Sequence, residues 1–550
     1  MSQTAARRWW ALAALSLSVL VVALDLFVLS LALPTLSADL HASSSDLQWF
    51  VDAYSLVLAA ALLPAGLLGD RIGRRRILLV ALAFFGVASL ACAYSKSAGE
   101  LIAARAVLGV AAAVILPMSL AVLPVMFTAQ ERPRAIAAIG GATFIGYPIG
   151  PILGGWLLDH FWWGSVFLIN VPVVVIAIIA VSTLMPESRG DGEAAVGVDV
   201  AGIGMSSAGL ALLTYGLIKA GNSGWGDIAA IATMAAGVLA LVAFVAWERR
   251  IGERPSGLEI QPLVDLKLFG SAGFTWGTVL STLVSFALFG LVFAMPQYFL
   301  DVRGLNSLGA GVRMLPMIGG LAVGLAVGQR LQTPRKPNGR PSSQPGLTQA
   351  AAESPPPVSP KIVVAAGFAV MAAALAIGTG TTLASSTGFA ATWFAVTGFG
   401  LGLAMPTALN VALGTLSAAR SGAGSALITA MRQVGGTIGV AVLGTVLATV
   451  YRNRLHLPGL PAATAATVKN SVASGVATAR VARSPALLDT VRTAYVHGLD
   501  TMLWVCAGIA IASAVLGLLF LPRWTSGPRR ASDDSADGAA AGEAITATTL

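Results

Sequence analysis

Charge is scarce in this chain. Only 11% of its 550 residues are Asp, Glu, Lys or Arg, against about 25% in ordinary proteins. With 56% hydrophobic residues and a mean hydropathy of +0.80, the chain has too little polar surface to close around a water-soluble core. Cysteine is scarcer still. Cys92 and Cys506 both fall in apolar stretches, so no disulfide framework is indicated. The four histidines, His41, His160, His456 and His497, lie at the edges of apolar stretches or between them. No buried Ser–His pair or metal cluster is available, which argues against a membrane enzyme. A phosphate loop of the G-x-x-x-x-G-K-[ST] type is also missing, which argues against a nucleotide-driven pump.

What the chain has in abundance is apolar sequence in blocks of bilayer length. A span needs roughly 20 residues at 1.5 Å rise each. Fourteen such blocks are read, over about 9–33, 48–69, 77–94, 101–126, 135–158, 165–185, 200–220, 228–247, 271–297, 308–328, 361–382, 387–410, 425–448 and 497–521. The first follows Arg7 and Arg8 and is long enough to be a retained anchor rather than a cleaved signal. The expected fold is all-α and integral to the membrane: two six-helix bundles, 9–185 and 271–332 plus 361–521, with two inserted helices and their linkers over 186–270.

The net charge of +9 does not mark a nucleic-acid binder. The basic residues sit in alternate short connections: Arg71, Arg74, Arg75 and Arg76; Arg132 and Arg134; Arg249, Arg250 and Arg254; Arg330, Arg335, Lys336, Arg340 and Lys361. The connection after the first span carries Asp39 and Asp46 and no Lys or Arg. Positive loops stay inside, so both termini are expected in the cytoplasm. The long connection 451–496, placed outside, carries Arg452, Arg454 and Arg480, and long loops escape the charge rule. Within it, Ala462–Tyr495 is expected to form a short helical hairpin. Residues 333–360 and the tail 522–550 read as a flexible linker and a disordered end. Arginine, alanine and glycine usage fits a GC-rich bacterial genome.

Several charges stand inside the spans, where they are expensive. An ionised carboxylate such as Asp25 costs at least roughly 2.5 kcal/mol at the centre of a span and is a functional hypothesis by default. Its expected partner is Arg105 in the fourth span. The competing reading is a structural ion pair that fixes helix register. Asp52, near the outer end of the second span, reads as a second proton or cation site, or as a solvated residue at the mouth. Arg313 and Arg432 add positive charge to the second half, with structural roles expected for both.

Several motifs carry a resemblance. Gly66-Leu67-Leu68-Gly69-Asp70-Arg71-Ile72-Gly73-Arg74-Arg75-Arg76 resembles the G-x-L-x-D-R-x-G-R-[RK] signature of the major facilitator superfamily. Gly146-Tyr147-Pro148-Ile149-Gly150-Pro151-Ile152-Leu153-Gly154-Gly155 resembles that superfamily's antiporter motif, G-x-x-x-G-P-x-x-G-G. Glycines four apart let helices pack backbone to backbone, and Pro151 removes a donor from the ladder. Leu24–Pro34 resembles the L-D-x-T-V-x-N-V-A-L-P element, with Phe27 for Thr and Ser30 for Asn. Arg105–Gly109 resembles R-x-x-Q-G with Leu108 for Gln. Together with Trp49–Tyr54 and Arg432–Gly436, these are similar to the fourteen-span drug:proton antiporters.

That resemblance implies a latch formed by Gly66, Asp70, Arg71, Gly73 and Arg74, and an export motif at Gly146, Gly150, Pro151, Gly154 and Gly155. It implies proton coupling through Asp25, Arg105 and Asp52. The implied activity is antiport of lipophilic, cationic drugs or antiseptics out across the bacterial cytoplasmic membrane. The driving force is the proton gradient, with no cofactor and no metal. The expected partners are the substrate, protons and the bilayer, with the chain working as a monomer. Phe27, Tyr54, Tyr147, Trp276, Phe286 and Tyr298 are candidate lining residues, since a ring face attracts a cation by roughly 0.5–2 kcal/mol. Two other readings stay open: a dedicated exporter of an endogenous natural product, and a sensor that does not transport.

Overall fold

The computed structural model describes residues 5–128, 131–187, 199–253, 263–264, 266–332, 358–416 and 421–522. Every regular element in them is a helix. Among the described residues twelve helical spans are long and apolar enough to cross a bilayer, the sixth only when the short turn Ser165–Leu168 is counted with the helix that follows it. Two more, Ser44–Ile72 and Arg132–His160 at 29 residues each, fill the second and fifth places. In chain order these are α1 (Ala5–Asp39), α2 (Ser44–Ile72), α3 (Arg74–Ala93), α4 (Ala98–Ala121), α5 (Arg132–His160), α6 (Asn170–Leu184) and α7 (Val200–Ser223). They continue with α8 (Ile228–Gly252), α9 (Ala272–Gln297), α10 (Ser307–Gln332), α11 (Pro360–Gly378), α12 (Thr387–Gly414), α13 (Ser421–Arg454) and α14 (Pro485–Phe520). The face of the bundle where Ala5 and Phe520 lie is called terminal below, and the opposite one distal.

Local sequence sets many of the helix ends. Ser97, Asp199, Asp227, Ser271, Ser386 and Ser484 each accept a hydrogen bond from a backbone N–H in the first turn, which satisfies one of the orphan donors there. Helix α9 ends in a single π turn, Tyr298–Val302. Helix α14 begins 12 residues before the apolar block that announces it, at Pro485. The expected hairpin is therefore shorter than Ala462–Tyr495, a pair of helices over Ala462–Asn470 and Val472–Val481.

Two apolar cores organise the chain. One draws on α1 to α6 and takes in Phe293, Ala430 and Val440 from the other half. The second draws on α9 to α14 and takes in Leu31. The halves meet along two seams, α2 against α13 and α5 against α10. Helices α7 and α8 pair with each other, and α7 lies against α2 and α13. There the hydroxyls of Thr445 and Thr449 donate to the carbonyls of Leu217 and Gly221 at 3.2 and 3.3 Å.

Glycine makes the α5–α10 seam possible. A Cβ on Gly155 would stand 2.6 Å from both Leu308 Cα and Ser307 O, and one on Gly311 would overlap the Pro151 carbonyl. At the distal end of this seam Asp159 accepts from Asn306 Nδ2 and from the backbone N–H groups of Ser307 and Leu308, at 2.8, 2.9 and 3.0 Å. The second seam ends in the same way. Ser44 Oγ donates to the Asn470 carbonyl at 2.6 Å, and the hydroxyls of Ser37 and Ser471 lie 2.7 Å apart. The distal face is closed in this conformation.

Candidate functional site

Arg105 is wholly buried on α4, and its Nη1 donates to Asp25 Oδ2 of α1. The side chains are 0% and 1% exposed, so the charges meet without water around them. Attraction between such charges offsets their desolvation only when further groups satisfy the remaining donors and acceptors. Arg105 Nε donates to the Phe50 carbonyl of α2 at 2.9 Å, and its guanidinium lies 4.4 Å from the centre of the Tyr54 ring. Asn170, at the start of α6, turns Nδ2 towards Asp25 Oδ1 at 3.4 Å and Ser89 Oγ at 3.3 Å. Arg105 Nη2 and the Tyr54 hydroxyl have no hydrogen-bond partner among the described residues. Four helices thus converge on one carboxylate and one guanidinium.

The α2 backbone reaches Arg105 because α4 comes unusually near. A Cβ on Gly109 would stand 2.5 Å from the Tyr54 carbonyl, so only glycine permits that approach. Residues 100° apart around a helix put Asp52 on the face away from Phe50 and Tyr54. Gln48, one turn earlier on that face, meets Gly444 of α13. Asp52 is 0% exposed, and neither of its carboxylate oxygens has a hydrogen-bond partner among the described residues. It is a buried residue of the α2–α13 seam, so the solvated-mouth alternative does not describe this conformation.

The antiporter motif divides its work between two helices. Gly146 and Gly154 face α1, where a Cβ would stand 3.0 Å from Ala23 Cβ and 3.0 Å from Val28 Cγ1. Gly155 and the Pro151 carbonyl face α10, and Gly150 and Pro151 are buried. Helix α5 is thereby clamped between the halves. In the latch, the side chains of Gly66, Asp70 and Arg71 lie outside the described residues. Gly73 has φ +115°, a left-handed conformation that glycine adopts freely. Arg74 Nη1 donates to the Ala121 carbonyl at 3.0 Å, closing the end of α4. Arg75 donates to the Ser182 carbonyl and, from its backbone N–H, to Glu187 at 3.3 Å, while Arg76 pairs with Glu187 at 3.5 Å. The latch loop is therefore seated on the end of α6.

The proposed lining aromatics do not gather at one place. The side chains of Phe27 and Tyr147 lie outside the described residues, and of the four that are described only Tyr54 meets the ion pair. Trp276 stacks on Phe520 with ring centres 4.4 Å apart, and Tyr298 donates to the Thr382 carbonyl at 3.4 Å. Those two positions are 22 residues apart along α9 and its π turn, roughly 33 Å at helical rise. Phe286 lies between them, its backbone against Gly439. Arg313 Nη1 donates to its own helix at Gly309, 3.0 Å away. Arg432 Nε donates to Ser285 Oγ at 3.3 Å and Nη2 approaches Met405 Sδ at 3.6 Å.

Asn170, Glu187 and the Phe50 carbonyl complete these sites and are not among the residues read from sequence. Asn170, a polar residue inside an apolar block, carried some signal. A backbone carbonyl carries none.

Two helical bundles meeting along glycine-lined seams, with an ion pair sealed inside one of them, define a multi-pass membrane transporter fold. The match to known proteins makes this specific. The Major Facilitator Superfamily profile matches residues 15–440, and the chain belongs to that superfamily. It is 31% identical over 524 residues to the tetracenomycin C resistance and export protein of Streptomyces glaucescens, covering 93% of this chain and 91% of that one. It is 32% identical to the multidrug efflux pump LfrA of Mycolicibacterium smegmatis, covering 94% and 97%. It also shares 37% identity with the methyl viologen resistance protein SmvA of Salmonella typhimurium, over 57% of this chain and 61% of that one. Among solved structures, a bacterial homolog of the human lysosomal transporter Spinster, inward-facing and unoccupied, superposes with TM-score 0.65 at 15% identity. That match covers 95% of this chain and all of the other.

Proposed function

We propose that the chain exports lipophilic, cationic compounds across the bacterial cytoplasmic membrane in exchange for protons, with both termini in the cytoplasm. The observation that carries this reading is the Asp25–Arg105 pair, sealed from water and tied to α2 through the Phe50 carbonyl. A proton arriving at Asp25 removes the charge that holds Arg105. The guanidinium then loses its main acceptor, and its bond to Phe50 bears on the helix whose distal end carries Gln48 and Ser44. Both of those residues touch the other half in the closed state. Proton gain or loss is in this way connected to the distal seam by three covalent and hydrogen-bonded links.

Asp52 extends the same logic. A carboxylate buried in the seam without a donor is costly as an ion, so it takes a proton from outside before the distal face closes and gives it up to the terminal side when cargo enters there. Cargo and proton then compete for negative charge, which makes the exchange obligatory. Efflux and resistance relatives support export. Arg105 and the seam glycines support alternating access rather than a static sensor.

A second reading is a dedicated exporter of a natural product made by the same cell. The likeness to the tetracenomycin exporter along nearly the whole chain favours it. One experiment separates these readings. Drug susceptibility is measured in cells with and without the transporter, each with and without a protonophore. General efflux predicts resistance to several unrelated lipophilic cations, abolished by the protonophore. A dedicated exporter protects against one compound class only, and protection that survives the protonophore contradicts proton coupling.

A further inference from the structure

Outside the ion pair and the seams, one group of side chains among the described residues is buried, charged and unexplained. Asp199 caps α7 by accepting from the Gly202 N–H at 2.9 Å, and it accepts again from Trp247 Nε1 of α8 at 3.0 Å. Glu248, the next residue of α8, accepts from the Val264 N–H through Oε2 at 3.1 Å. The two acids are 2% and 1% exposed. Glu248 Oε1 is buried without a donor, and it turns into the space beside Gly202 where Asp199 Oδ2 also lies. A Cβ on Gly202 would meet both oxygens, and the two carboxyl groups are within hydrogen-bonding reach of each other.

No cation faces them among the described residues. On α8, Arg249, Arg250 and Glu253 are exposed, as is Lys267 on the segment that follows. Lys219 lies at the other end of α7, and Asp265 is outside the described residues. From α9, α12 and α13 the strap meets apolar side chains, among them Phe274, Leu413, Leu427 and Ile428, and the Thr275 hydroxyl, which donates to the Phe269 carbonyl at 2.7 Å. Two carboxylates side by side cannot both ionise cheaply, and one proton between them relieves the repulsion.

We propose that Glu248 holds a proton turned toward Asp199, and that this shared proton keeps the strap of residues 263–264 and 266–270 docked on the terminal face. The strap is the last stretch before α9. Its Val264 and Leu268 pack in one cluster with Phe274 of α9, Ala412 of α12, and Leu427 and Ile428 of α13. Loss of the proton sets two negative charges against each other, drives Glu248 from the Val264 N–H and loosens the strap. The pair thus reads the pH on the terminal side, independently of Asp25 and of what is transported.

Hydrogen exchange of the 263–270 stretch tests this in the full-length protein in lipid nanodiscs, over a pH series corrected for intrinsic exchange. Wild type loses about tenfold protection per pH unit above the titration point, as release of one proton requires. Glu248→Gln and Asp199→Asn each place an amide donor where the proton was, and both keep the strap protected with no such slope. Flat protection in wild type overturns the proposal without recourse to any variant. So does a slope that persists in both variants. The series is repeated with Mg2+ and with a chelator, and a slope that depends on the cation assigns the space to a metal and overturns the shared proton.

Discussion

Arg105 gives its Nη1 to Asp25 of α1 and its Nε to the Phe50 carbonyl of α2, so one planar group on α4 spans two neighbouring helices. Guanidinium is suited to this because its donors are fixed in one plane and its charge is permanent. Breaking a buried pair by removing one partner costs roughly 3–5 kcal/mol. The helix contacts that depend on this pair are therefore expected to respond sharply to its protonation.

Tyr54 supports Arg105 through its ring and not through its hydroxyl, which has no partner among the described residues. Tyr54→Phe is expected to transport within twofold of wild type. Tyr54→Leu removes an interaction of about 0.5–2 kcal/mol, equivalent to about 2- to 30-fold in rate or affinity. Substrate efflux from proteoliposomes checks this. Equal losses in the two variants would mean that the hydroxyl, rather than the ring, is the working part.

Ser37 and Ser471 join the α1–α2 corner to the hairpin that follows α13, with hydroxyls 2.7 Å apart. Ser37→Cys with Ser471→Cys is expected to form a disulfide under oxidant, holding the distal face shut and stopping transport until reductant is added. Cys92 and Cys506 are buried and unpaired and need not be replaced. Full transport by the oxidised double variant, with the cross-link shown on a gel, would mean that this end does not open.

On the terminal face Glu131 ties the loop after α4 to α1. It accepts from the Thr128 N–H and hydroxyl at 3.1 and 3.0 Å and from Arg8 Nη1 at 3.1 Å. The Thr128 backbone hydrogen bond, then its hydroxyl, and the Arg8 charge hold the Glu131 carboxyl below the usual range for glutamate. A carboxyl lowered on folding contributes stability above its unfolded value and loses it as pH falls through the folded one. Protease resistance of this loop is expected to hold at neutral pH and to fall in acid, below the normal glutamate range. Glu131→Gln should show the weaker resistance at every pH, and a variant that matches wild type at neutral pH would contradict the tie.

Much of this architecture is legible in the sequence. Apolar blocks of bilayer length mark all fourteen long helices, because a span must be apolar along its whole lipid-facing length. Asp25 and Arg105 stand out for the same reason, as charges where lipid-length sequence allows few. What periodicity missed has physical causes. The first turns of α14 hold Asp489, Arg492 and His497, whose polarity hides a helix that continues beyond the apolar core. The acid at Glu248 sits beside Arg249 and Arg250 and reads as part of an ordinary basic helix end. Only the fold, by bringing Asp199 and the strap to it, separates it from them. The Phe50 carbonyl was invisible in principle, since every residue has one.

The central claim is that Asp25 carries the exchanged proton, and transport in proteoliposomes with and without a pH gradient tests it most directly. Asp25→Asn is expected to keep gradient-free exchange of labelled for unlabelled substrate, since the helices can still move. It is expected to lose accumulation driven by the pH gradient. Gradient-driven accumulation by Asp25→Asn at the wild-type level would place the coupling proton elsewhere and contradict the account.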